Sequence, residues 1–246
     1  MDDTASPGIQ VGGISGGVGN TIQIHALNNP MFTYFAFEQR FDANGRPIEK
    51  STTPNLGSYA GTVDIDGDGK ISDIEAYVDQ NGDGVINTAD LKVFRNRSPE
   101  PRTLFGLSLN FTHKRWSGGA TVRAELGQYV YNNVRSVNGN YFSVGGSQPH
   151  LTNLTSDFLE SQFRTPQYLS SYYLENASYL RLDNLYLSYN LGKLYKDRFA
   201  SSLNISMQNA LVLTKYRGLD PEIAGGIDNN LYPRPRVFNI QLNVQL

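Results

Sequence analysis

An all-β, antiparallel fold that crosses a membrane as part of a β-barrel is the architecture this sequence predicts. Three observations predict it: apolar and polar residues alternate strictly, short and long connections are sorted along the chain, and no apolar run is long enough for a membrane helix. The alternation is clearest in "VFNIQLNVQL", where Phe238, Ile240, Leu242, Val244 and Leu246 are apolar and Asn239, Gln241, Asn243 and Gln245 are polar amides. A period of two puts one set on each face of a strand, so one face meets an apolar medium and the other meets water. The pattern recurs at Phe105, Leu107, Leu109 and Phe111, and at Ala120, Val122, Ala124 and Leu126. It recurs again at Leu185, Leu187, Tyr189 and Leu191, and at Leu203, Ile205 and Met207. Ile22 with Ile24, and the stretch from Met31 to Phe41, are weaker candidates. This predicts about seven strands, several near the roughly nine to eleven residues that cross a tilted bilayer path.

The connections alternate in length. Going backwards from the last strand, Lys215 to Arg236 is long, Gly192 to Phe199 short, Tyr131 to Tyr173 long and Lys114 to Ser117 short. Asp42 to Arg102 is then long, and Asn28 to Pro30 short. All short turns therefore fall at one end of the strands and all long loops at the other, as in outer-membrane barrels. A soluble β-sandwich is the alternative that the strand pattern alone leaves open. Tyr129, Tyr131, Tyr179, Tyr189, Tyr216 and Tyr232 fall at strand ends, where an aromatic girdle would lie, although tyrosine is enriched in strands generally.

Composition narrows the class further. The 246 residues are 39% hydrophobic with a net charge of −2, which gives no basic field for nucleic acid. Acidity is local: from Thr62 to Asp90 eight acidic residues face Lys70 alone, −7 there against +5 for the rest. Cysteine is absent, which removes thiolate chemistry. The start "MDDTASPGIQ" has no basic and then apolar stretch, so no secretory signal is expected in the chain. The glycine-rich "GGISGGVGN" lacks the Lys-Ser/Thr of a phosphate loop and is expected to be a flexible loop.

The acidic segment, residues 62–91, carries two stretches like the calcium-loop template. In the first, the candidate ligands are Asp64, Asp66, Asp68, the Lys70 carbonyl, Ser72 and bidentate Glu75. In the second they are Asp79, Asn81, Asp83, the Val85 carbonyl, Asn87 and Asp90. Gly69 and Gly84 permit the sharp turn, and Ile71 and Ile86 are placed to pair the loops. Crowded carboxylates favour a hard divalent cation with six to eight oxygen ligands, so structural Ca2+ is the expected cofactor. Helices on both sides are required for an EF-hand, and "PNLGSYAGTV" before Asp64 and Ala76 to Val78 between the loops supply none. A solvated Asp/Asn/Gly turn cluster without metal is the competing reading.

No enzyme is expected: His25, His113 and His150 are far apart and no nucleophile motif accompanies them. Arg123 and Glu125 share one strand face and are expected to form ion pairs inside the barrel rather than to bind substrate.

Several stretches resemble the SusC/RagA-type TonB-dependent outer-membrane transporters. They are "GGISGGVGNTIQIH", "YVDQNGDGVIN", "SPEPRTLFGLSLNFTHKRW", "YYLENASYLRLDNLYLSYNL" and "KYRGLDPEI" through "GIDNNLYPRPRVFNIQLNVQL". The resemblance covers most of the chain from Gly12 onward, and departs at Ser51 to Glu75 and at Leu246, where a terminal aromatic is usual. It implies the C-terminal portion of a barrel of about 22 strands. It also implies residence in the bacterial outer membrane with lipid as a partner, and import of oligosaccharides or peptides. A SusD-like surface lipoprotein would be the lid, and energy would come from the TonB complex through an N-terminal part not in this chain. Residues 62–91 would then be an extracellular loop. A secreted calcium-dependent binding module of the dockerin or lectin kind, and a passive porin, are the alternatives.

Overall fold

The computed structural model describes residues 8–14, 20–49, 76–141, 155–194, 198–229 and 232–245. Eleven strands occur among them: β1 (Ile9–Gly13), β2 (Thr21–His25), β3 (Thr33–Phe37), β4 (Leu91–Phe94), β5 (Thr103–His113) and β6 (Trp116–Leu126), followed by β7 (Tyr129–Tyr131), β8 (Leu174–Asn176), β9 (Tyr179–Leu194), β10 (Phe199–Thr214) and β11 (Val237–Gln245). Two short helices, α1 (Asn133–Asn138) and α2 (Asp157–Ser161), lie between β7 and β8. No described helix is long and apolar enough to cross a membrane. The chain forms two compact units: Met1–Glu100 with Tyr129–Glu175 and Ile223–Leu231, and Pro101–Gln128 with Asn176–Glu222 and Tyr232–Leu246.

The second unit is one antiparallel sheet of order β11-β10-β9-β6-β5. Its register aligns the alternating residues into rows: Leu109, Ala120, Leu185, Met207 and Phe238 form one, and Phe111, Gly118, Leu187, Ile205 and Ile240 the next. These rows stay open. Leu109, Phe111, Leu185, Leu187, Ile205, Phe238 and Ile240 are each between 39 and 77% exposed. A contiguous apolar face of this size is foreign to a soluble sandwich, whose inner face would be covered by a second sheet, and is what a lipid-facing barrel wall requires. The other face is polar, with Ser108, Thr121, Asn184 and Gln208 in one row. Eleven residues, as in β5 and β6, span about 36 Å extended and about 28 Å when tilted by roughly 40°, enough for an apolar band of about 25 Å.

Side-chain size is adjusted within the sheet. A Cβ on Gly118 would sit 2.6 Å from the ring of Phe111, so the glycine makes room for an aromatic that covers it. On the polar face Tyr186 lies over Gly119 and donates to Asn110 Oδ1 at 3.0 Å.

In this sheet β5 joins β6, and β9 joins β10, by short turns, whereas the connections from β6 to β9 and from β10 to β11 are long. The sorting expected from sequence holds here. Two expectations change. The Ile22/Ile24 and Met31–Phe41 segments are not part of this wall: they become β2 and β3 of a four-stranded sheet of order β1-β2-β3-β4 in the first unit. These strands have five residues each and are buried on both faces at their centres, so their apolar residues meet protein. The supposed loop from Asp42 to Arg102 likewise contains β4, and Gly12 and Gly13 of the expected glycine loop sit in β1.

The first unit is built around Ile14, Ile22, Tyr34, Ala36, Tyr131, Phe163, Tyr173 and Leu174. The Tyr34 hydroxyl lies 2.7 Å from the Gly226 carbonyl and 2.8 Å from that of Tyr129, which pins two distant chain segments. Burial pushes the Tyr34 phenol far above its ordinary pKa, so it stays a neutral donor. Arg135 of α1 pairs with Asp157 and Glu175 and lies over the rings of Tyr172 and Tyr173. Burial alone would lower the guanidinium pKa; the two carboxylates outweigh it and raise it.

The tyrosine girdle is also corrected. Tyr131, Tyr179 and Tyr216 are buried, because a phenol near a strand end fills core space as well as it fills an interface. Tyr189 does sit at the short-turn end of the sheet, against Trp116, with ring centroids 4.5 Å apart.

Candidate functional site

The densest chemistry in the second unit is an ion network on the polar face of the sheet, at its long-connection end. Arg123 and Glu125 are two residues apart on β6, so a period of two places both on this face, and Arg123 Nη1 lies 2.9 Å from Glu125 Oε1. β9 contributes Arg181, whose position is directly paired with Arg123. Two neighbouring guanidinium groups would repel without intervening acids.

A bulge supplies the first acid. The pairing of β6 with β9 slips between Thr121 and Val122, which leaves Asp183 as the extra residue and shifts the phase of β9. Asp183 Oδ2 thereby reaches Arg123 Nε at 3.2 Å. On β10 the register slips again between Gln208 and Leu211, where Asn209 adopts φ 50°. Its side chain accepts from Arg181 Nη1 at 2.5 Å and donates to the Arg234 carbonyl at 2.8 Å.

The connection from β10 to β11 supplies the rest. Asp220 Oδ1 lies 2.6 Å from Arg181 Nη2, and Glu222 Oε2 lies 2.9 Å from Arg123 Nη2 and 2.8 Å from Arg234 Nη1. Glu222 is also 3.5 Å from Arg181 Nε. Burial would raise the Glu222 carboxyl, but hydrogen bonds from Arg123 and Arg234 outweigh it and hold it below its ordinary range. Arg234 is raised in return, chiefly by its bond to Glu222. Arg181 is 1% exposed and lies over the Tyr179 ring, so its charge is held entirely by these partners. Chemically the network is a strut: every guanidinium in it already has an acid, and it fastens residues 220–222 and 234 to the wall.

The ion pair of Arg123 with Glu125 was legible in the sequence, but Arg181, Asp183, Asn209, Asp220, Glu222 and Arg234 were not. The one local signal is "YLRLDNL", where the apolar interval widens from two to three across Asp183 and Asn184.

The expected calcium ligands divide. Asp64, Asp66, Asp68, Lys70, Ser72 and Glu75, with Gly69 and Ile71, lie outside the described residues. Asp79, Asn81, Asp83, Val85, Asn87 and Asp90 are described and form a ladder of side chain to backbone bonds between β3 and β4. Asp79 accepts the N–H of Gly82 at 2.7 Å and of Gly84 at 2.9 Å, and Asn81 and Asp83 accept from Asp83 and Val85. The bond from the Gly84 N–H is the largest cause of the lowered Asp79 pKa. Gly84 has φ 80°, the left-handed conformation the turn requires. Asn87 caps the 3-10 turn Thr88–Asp90, and Asp90 spends both oxygens on the N–H groups of Gln80 and Asn87. Ile86 packs beside Ile48, Ala76 and Tyr77. Among the described residues no group of three or more His, Cys, Asp or Glu side chains is placed to hold a metal ion. His25 packs edge-on against Phe32, His113 ends β5, and His150 lies outside the described residues.

No family model matches the chain. It is 29% identical over 238 residues to the TonB-dependent receptor SusC of Bacteroides thetaiotaomicron, covering 94% of this chain and 21% of that receptor. It is 28% identical over 258 residues to a TonB-dependent receptor of Formosa agariphila, covering 93% of this chain and 24% of the receptor. In fold it resembles the RagAB peptide importer in its open-open state, with a TM-score of 0.62 at 20% identity over 93% of this chain and 24% of that one. The RagAB peptide transporter matches with a TM-score of 0.59 at 23% identity, over 87% of this chain and 23% of that one. The chain thus spans about a fifth to a quarter of the length of these relatives. Its five-stranded sheet with one bare apolar face and one polar face is a stretch of barrel wall, and the chain is similar along nearly its whole length to TonB-dependent receptors such as SusC.

Proposed function

We propose that the receptor carrying this chain imports oligosaccharides or peptides across the outer membrane, driven by TonB and closed by a SusD-like lipoprotein. The observation that carries this reading is the bare apolar face of the five-stranded sheet in a chain similar to SusC along nearly its whole length. In this reading the long connections emerge outside the cell, where a lid would dock. The ion network fastens residues 220–222 and 234 of one of them to the wall. A TonB-driven importer stops when TonB is deleted, whereas a passive porin does not. Cells expressing the receptor should therefore take up labelled oligosaccharide or peptide only with TonB intact, and purification in mild detergent should retain a lipoprotein partner. Uptake that persists without TonB would select the porin.

Calcium in the acidic segment is a separate proposal, carried by the ligand pattern of the two loops together. Because the second loop is satisfied by its own backbone, binding would depend on the first. Calorimetric titration of the receptor is expected to show saturable binding in the range of about 0.1 to 1 mM, weakened by Asp66→Ala. Absence of heat across that range removes the metal and leaves a self-capped turn.

A further inference from the structure

The short-turn end of the five-stranded sheet carries charge that the network at the other end does not account for. Lys114 and Arg115 form the β5–β6 turn, and Lys193 and Arg198 flank the β9–β10 turn. All four side chains are exposed, and among the described residues none has an ion pair or hydrogen-bond partner for its cation. By sequence the two turns, "HKR" and "KLYKDR", hold five cations against Asp197 alone. The pairing of β6 with β9 makes the turns neighbours: Trp116 faces Tyr189, and the Asn190 N–H donates to the Arg115 carbonyl at 2.8 Å.

Three further features fit a ligand. Lys114 adopts φ 54°, a left-handed conformation in a two-residue hairpin turn where asparagine or glycine is the unstrained choice. A lysine there keeps its charge at a conformational cost. Along β6 and β9 the order is then fixed, with bare apolar rows, the Trp116–Tyr189 ring pair, and cations just beyond it. Apolar tails, an interfacial glycerol level and an anionic headgroup are stacked in that same order in a lipid leaflet. Finally, Arg123, Arg181 and Arg234 at the long-connection end are held by acids, and Lys215 and Arg236 there are single exposed cations at the ends of separate strands, whereas the short-turn rim gathers four on two neighbouring turns.

We propose that Lys114, Arg115, Lys193 and Arg198 bind the headgroup of an anionic glycerophospholipid in the leaflet that adjoins the short turns. Attraction of this kind is Coulombic and near the surface, so it weakens with salt within a Debye length. The inference rests on the barrel fold and not on the transport reading, so loss of uptake has no bearing on it.

The test is the selectivity of the whole receptor, reconstituted in phosphatidylcholine bilayers, for spin-labelled phosphatidylglycerol over spin-labelled phosphatidylcholine. The receptor is expected to enrich phosphatidylglycerol severalfold at low salt. The variant Lys114→Gln/Arg115→Gln/Lys193→Gln/Arg198→Gln is expected to show no preference, while heat-modifiable migration reports an intact barrel. Should that variant not assemble, Lys193→Gln/Arg198→Gln, which leaves the β5–β6 turn untouched, is expected to lose at least half of the enrichment. Equal association of the two lipids with the unmodified receptor overturns the proposal. So does enrichment that survives in the folded variant, or that is unchanged by salt.

Discussion

Leu185→Arg is expected to destabilise the folded barrel by about 2 to 4 kcal/mol, whereas Asn184→Arg, one residue away, leaves it folded. Leu185 sits in the middle apolar row of the sheet, on a strand with neighbours on both sides, and its side chain is exposed to whatever medium covers that face. A guanidinium there must be buried in hydrocarbon or pull water inward. Asn184 belongs to the row of Ser108, Thr121 and Gln208 on the opposite face, where a charge meets water. Refolding each variant into detergent and following heat-modifiable migration through a urea series measures the difference. Equal stability of the two would mean that the sheet meets no lipid, and the reverse order that the faces are exchanged.

Arg181→Met is expected to cost about 3 to 5 kcal/mol, because it removes one partner of a buried pair and leaves Asp220 without its guanidinium. The cost arises from the stranded charge rather than from the bond itself. Asp220→Asn in the Arg181→Met background should therefore recover most of the loss, although the pair between these two positions is gone. The same urea series reads both variants. An Arg181→Met variant as stable as the unmodified receptor would show that water reaches Asp220 and that the network is a surface feature.

The strands of the wall were legible because lipid and lumen impose a period of two on every spanning residue. Phe238 to Leu246 shows this over its whole length. Where the period breaks, the sequence misleads. β9 and β10 run 16 residues each, yet clear alternation begins only at Leu185 and stops at Met207. The register slips at Asp183 and Asn209 reset the phase, and a bulge of this kind looks like the end of a strand.

Alternation also does not say what the apolar face touches. Ile22 and Ile24 alternate with Gln23 as well as Leu185 and Leu187 do with Tyr186, but they are buried in protein. The ion network was hidden for a different reason. Glu222 and Arg234 lie 99 and 111 positions beyond Arg123 in the chain, and only the return of the long connection brings them to it. The acidic segment was visible as a pattern of ligands, but Asp, Asn and Gly at that spacing serve a self-capped turn equally well. In the described loop, Asp79 and Asp90 bind backbone N–H groups.

The central claim, that this sheet is barrel wall with one face in lipid and one in water, is tested most directly by cysteine scanning of β9. The chain has no cysteine of its own, so each introduced thiol is the only one in this segment. Single cysteines are placed at Tyr179 to Ser188 in a receptor otherwise free of cysteine, and reacted with a membrane-impermeant maleimide after reconstitution in bilayers. The account predicts that cysteines at Asn184, Tyr186 and Ser188 react, that those at Leu180, Leu182, Leu185 and Leu187 do not, and that the alternation changes phase across Asp183. Labelling at all positions alike, or at the leucine positions instead, would contradict it.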